Sequence, residues 1–156
     1  MLDAPLDSLY TWTALSVAAT VLLGTVVGLP TTPAPDASGV ADTVDGVAVA
    51  EYDTTAEQPL TADSVRLGPK RIGLRNDGGT AHATFAFGPI TPATPDSPLG
   101  SVAMGANPTA VFDSPADFAA AADAARHRKA TWRSAAESLV VRHVTWEETD
   151  VTVVVV

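Results

Sequence analysis

The sequence predicts an α+β protein, with an N-terminal transmembrane helix and a small head of two β-hairpins, forming an antiparallel sheet, and a packed helix. Three observations carry this. No charged residue stands between Asp7 and Asp36. Two stretches, at 65–87 and 138–156, are strand-like runs interrupted by turn residues. Between them lies an alanine-rich segment opened by helix-capping residues. The chain's 156 residues, 46% of them apolar, suffice for one domain with a modest core.

Residues 1–8 read as a short tail. The apolar run from Leu9 to Leu29 follows, and as a helix it would measure about 31 Å against roughly 30 Å of bilayer hydrocarbon. Tyr10 and Trp12 stand near its start, where amphipathic rings favour the membrane interface. A secretory signal peptide needs a basic leading region, and Asp3 and Asp7 stand there instead. Ser16, Thr20, Gly24 and Gly28 recur every four residues and form a candidate helix-packing stripe, although small residues are also simply common in membrane spans. Pro30 ends the helix, and residues 30–39 read as a proline-rich stalk. Neither flank carries Lys or Arg close to the run, so charge does not orient it.

The head is expected over 40–156. Val40, Val44 and Val47 suggest a short helix from Val40 to Glu51. Val65-Arg66-Leu67 and Arg71-Ile72-Gly73-Leu74-Arg75 alternate apolar and basic residues, and Asn76-Asp77-Gly78-Gly79 is turn chemistry. The return arm, 80–87, points Ala83, Phe85 and Phe87 at the core. Residues 88–115 are proline-rich and read as a long irregular crossing. Ser114, Pro115 and Asp117 then start a helix in a capping-box-like manner. A second hairpin closes the chain, with strands at 138–146 and 151–156. Its run of valines suits a buried central strand, because an exposed edge of that kind would aggregate.

Charge is unevenly distributed. Residues 1–65 hold nine acids and no Lys or Arg, while 66–156 hold nine of each sign, for a net −9. That acidity argues against a nucleic-acid partner. Asp outnumbers Glu thirteen to five and Arg outnumbers Lys seven to two, a composition that fits concentrated salt or simply a GC-rich genome. With no cysteine, disulfides and thiolate chemistry are excluded.

No catalytic constellation, metal-ligand set or cofactor motif stands out. His82, His127 and His143 show no metal-site spacing, and only an approach of His82 and His143 beside a carboxylate would suggest a hydrolase. Arg66, Lys70, Arg71 and Arg75 form a basic strip on the first hairpin. It either binds an anionic partner or is a solvated face that blunts edge pairing.

The segments Leu67-Gly68-Pro69-Lys70-Arg71-Ile72-Gly73-Leu74-Arg75-Asn76-Asp77-Gly78-Gly79-Thr80-Ala81-His82-Ala83-Thr84-Phe85 and Val111-Phe112-Asp113-Ser114-Pro115, with Leu29-Pro30, carry a family resemblance. The chain resembles an uncharacterised family of small single-span proteins of halophilic archaea associated with type IV pilus-like machinery. The resemblance implies a pilin-like layout, with a cytoplasmic N-terminus and a head outside the cell membrane. The prepilin-processing pattern is incomplete, since Asp3-Ala4-Pro5 offers the Ala without a preceding base.

The expected function is therefore structural: a membrane-anchored, pilin-like accessory subunit with lipid, other transmembrane helices or pilus-like subunits as partners. The alternative is a membrane-tethered binding module that uses the basic hairpin to hold an acidic polymer or protein.

Overall fold

The computed structural model describes residues 13–17 and 32–156. Residues 13–17 are helical and exposed, and the head forms a compact unit over Pro33–Val156. Among the described residues no helix is long and apolar enough to cross a membrane. This overturns the transmembrane helix expected over 9–29. A span takes about 20 consecutive apolar helical residues, and the described residues contain no helix of that kind. The rest of that run, including Thr20, Gly24 and Gly28 of the packing stripe, lies outside the described residues.

Helix α1 is Ala37–Ala48, started by Asp36, whose carboxylate accepts from Gly39 N–H at 2.9 Å. It begins inside the expected stalk. Pro33 is also tied to the head, because its carbonyl accepts from Asn76 Nδ2 at 3.0 Å. The buried stripe Ala37, Val40, Ala41, Val44 and Val47 follows helical spacing.

The strands are β1 (Thr54–Pro59), β2 (Ser64–Leu67), β3 (Arg71–Asn76), β4 (Gly79–Thr84), β5 (Thr91–Ala93), β6 (Arg133–Ser134), β7 (Ser138–Trp146) and β8 (Thr149–Val155). They form two four-stranded sheets rather than one. Sheet one has the order β1-β7-β8-β5, antiparallel except for the parallel β5–β8 pair. Sheet two has the order β4-β3-β2-β6 and is antiparallel throughout.

Three helices fill the connection between β5 and β6: α2 (Pro98–Ala103), α3 (Pro108–Val111) and α4 (Pro115–Arg126). The crossing expected to be irregular thus contains β5, α2 and α3. Pro98 and Pro108 each follow a capping residue, Ser97 and Asn107, whose side chain accepts from a backbone N–H of the first turn. At the first helical position proline's missing N–H costs nothing, so it starts these helices where elsewhere it would break them. Ser114 caps α4 as expected, accepting from Asp117 N–H.

Two cores result. One lies between the sheets and α1 and includes Val65, Leu67, Ile72, Leu74, Leu139, Val141 and Val154. The other lies on the opposite face of sheet one, against α2 and α4, around Phe118, Val144, Val151, Val153 and Val155. Strand β8 therefore has apolar side chains on both faces, as its valine run requires. Phe118 is fully buried and packs on the rings of Phe112 and Trp146. Phe85 is buried, but Phe87 points outward at 58% exposure, because the strand ends at Thr84 and the chain turns.

α1 packs against both outer strands β4 and β1 and closes that side of the sandwich. On the other side, β2 and β5 are separated by a cleft at the end of α4. Asp36 and Asp42 are exposed on the first side, whereas Arg128, Lys129 and Arg133 line the second.

Candidate functional site

Alternation along β2, β3 and β4 sends Ser64, Arg66, Arg71, Gly73, Arg75, Thr80, His82 and Thr84 to the outer face of sheet two. The register sets Arg66 opposite Gly73 and Gly73 opposite His82, so these three form one row across the strands. Arg75 lies two residues along β3 on one side of that row and Arg71 two residues along on the other. Lys70 is exposed in the β2–β3 turn, off the strands themselves.

Trp132, just before β6, completes the face. The guanidinium of Arg75 lies 4.4 Å from its ring centroid and that of Arg66 5.3 Å. Both distances are within cation–π range, worth about 0.5–1 kcal/mol each at an exposed site. The His82 ring is 6.1 Å from the indole, tilted by 57°. Arg75 Nε also donates to Thr80 Oγ1 at 3.2 Å. Beyond His82, the outer face carries an open depression of about 300 Å3 bounded by Arg66, Arg71, His82 and Thr84.

The electrostatics are one-sided. Among the described residues the side-chain ion pairs are His127 with Asp123 and Arg142 with Asp53. None of Arg66, Lys70, Arg71 and Arg75 has a carboxylate within 4 Å among the described residues, in a chain of net charge −9. Like charges held together without counterions raise the local potential and attract an anion.

The structure thus brings Arg66, Arg71 and Arg75 together and leaves Lys70 at the margin. It adds Trp132 and His82, which the sequence reading did not place there. Trp132 sits in a segment with no strand periodicity of its own, and only the β2–β6 pairing carries it to this face.

His82 and His143 are not brought together. His82 is exposed on sheet two, while His143 is buried on sheet one with its Nδ1 3.1 Å from Thr152 Oγ1. Ser16, the described member of the packing stripe, lies in the helical residues 13–17.

A family model matches residues 3–144 of the chain, and its description is a family of unknown function (DUF7283). No curated protein and no solved structure matches the chain.

Proposed function

The chain belongs to this family of unknown function, DUF7283, and we propose that its head is a non-catalytic binding module that takes an extended, carboxylate-rich segment of a protein partner across the outer face of sheet two. The reading rests on one observation above others. Arg66 and Arg75 are held against Trp132 and have no carboxylate within 4 Å among the described residues. A guanidinium stacked on an aromatic ring keeps its N–H fork free for a bidentate contact, and part of its side-chain entropy is already lost before the partner arrives.

The spacing favours an extended ligand. Neighbouring strands lie about 4.8 Å apart and a two-residue step along a strand covers about 6.8 Å, so Arg66 stands roughly 8 Å from both Arg71 and Arg75. Alternate side chains of an extended peptide are about 6.8 Å apart, close enough for acidic residues at i, i+2 and i+4 to meet the three guanidiniums.

A pilus-like assembly role drew on the small-residue stripe at 16, 20, 24 and 28. Three of those four positions, Thr20, Gly24 and Gly28, lie outside the described residues.

The test is fluorescence anisotropy with a labelled ten-residue oligoglutamate in low salt, with single-stranded oligothymidylate as competitor. Saturable binding that drops at least tenfold in the triple variant Arg66→Gln, Arg71→Gln, Arg75→Gln supports the reading. Equal binding by the triple variant, or displacement by the oligonucleotide at lower concentration than by unlabelled peptide, overturns it.

A further inference from the structure

We propose that the cleft on the opposite side of the head from α1 is a second binding site, for a small amphipathic anion with a carboxylate or phosphate group on a short apolar body. This inference is independent of the outer-face module. The cleft encloses about 210 Å3 between Leu67 of β2, Pro92 and Ala93 of β5, and the end of α4. Pockets for drug-sized ligands run to roughly 300–1,000 Å3, so the volume limits the occupant to a small molecule.

Its lining divides by chemistry. Leu67, Ala93 and Ala125 are buried and give an apolar floor. Three cations, Arg128, Lys129 and Arg133, stand around it, and among the described residues no acidic side chain lines it. Thr94 and Thr131 also line this space, and neither hydroxyl makes a hydrogen bond among the described residues. Short neutral donors beside fixed cations suit the head group of an anion, and the floor suits an aliphatic body.

Arg133 singles this cleft out. Pairing of β6 with β2 sets Arg133 opposite Val65 and holds its side chain half-buried. Among the described residues its guanidinium has neither a carboxylate within 4 Å nor a hydrogen-bond acceptor. Burial without a counterion lowers its pKa from the usual arginine value. Its guanidinium is partly withdrawn from water without a partner, and an anion in the cleft would supply one. Arg128 and Lys129, both exposed and unpaired among the described residues, stand at the mouth, where they would draw an anion inward.

The experiment is a titration of the full chain with hexanoate, followed by amide chemical shifts. Hexanol serves as the uncharged control and inorganic phosphate as the bare head group. Saturable shifts are expected at Ala93, Thr94 and residues 128–133, with Arg71 and Gly73 unmoved. Hexanol and inorganic phosphate should each bind at least tenfold more weakly than hexanoate. Lys129→Gln and Arg133→Gln should each weaken hexanoate about fivefold or more, and Arg133→Lys should weaken it less. Substituting hexyl phosphate for hexanoate identifies the preferred head group as whichever binds tighter. Absence of saturable shifts, shifts confined to other regions, or hexanol binding as well as hexanoate would overturn the proposal. So would hexanoate affinity unchanged in Lys129→Gln, an exposed position whose substitution leaves the fold intact.

Discussion

A Cβ added at Gly73 would lie 3.1 Å from Cη2 of Trp132 and 2.7 Å from Nδ1 of His82. The missing side chain on β3 is thus the space into which the indole and the imidazole close. A methyl group there must displace both rings, and His82, being exposed, can swing outward more easily than Trp132. Gly73→Ala should change global stability by less than about 1 kcal/mol, since strand propensity partly offsets the crowding. Trp132 emission should shift, and oligoglutamate affinity should drop severalfold. An unchanged emission spectrum with unchanged affinity would show that the indole does not depend on this gap.

Removing the indole tests the same face from the other partner. Trp132→Ala ends both cation–π contacts and frees Arg66 and Arg75, with an expected stability loss of about 1–2 kcal/mol. Affinity for the acidic peptide should fall about tenfold although every cation remains. Trp132→Phe should recover part of it. Calorimetric titration of the three proteins separates order from charge: if Trp132→Ala binds like the parent, stacking plays no part in recognition.

Arg142 has a structural task rather than a binding one. Its Nη1 donates to the carbonyls of Val102 at 2.7 Å and Ala106 at 3.1 Å, which end α2 and the turn after it. Its Nη2 is 3.9 Å from the half-exposed Asp53, a contact that solvent screening makes minor. Arg142→Met keeps the apolar stem and removes the donors, so urea unfolding should show a loss of about 2 kcal/mol. A loss under about 0.5 kcal/mol would mean that water replaces the guanidinium at no cost.

At the start of α4, Ser114 Oγ accepts from Asp117 N–H at 3.2 Å and donates to the Asp117 carboxylate at 2.6 Å. Ser114→Ala should lower stability by about 1 kcal/mol, and Ser114→Gly by less. Thermal unfolding of the pair distinguishes capping from a general effect of side-chain removal, which would make glycine the worse substitution.

The legible parts of the fold were those with strong local chemistry. Asn76 to Gly79 marked the β3–β4 turn, where the Asn76 side chain accepts from Gly78 N–H and Gly79 has a positive φ. The Ser114–Asp117 spacing marked α4, and the valine run marked a buried strand. β1 was missed because it is an edge strand whose half-buried positions, Thr54, Ala56 and Gln58, are small or polar and end at Pro59. β6 is two residues long, below any periodic signal. The two-sheet arrangement was illegible for the same reason, since β5 and β6 complete the sheets and neither announces itself. For the candidate site, the alternation of 65–75 disclosed the arginines. The indole that organises them reaches them through a tertiary pairing that sequence spacing does not encode.

The division of charge between the two sides of the head has a kinetic consequence. With carboxylates along α1 and guanidiniums around the opposing cleft, the head is electrically polar. In dilute salt an approaching small anion is drawn toward the cleft side before contact. At about 1 M ionic strength the screening distance shrinks to roughly 3 Å, and that orienting pull vanishes beyond the first water layer. Capture in brine would then proceed by unguided collision, and the rate of association rather than the lifetime of the complex would carry most of the salt dependence.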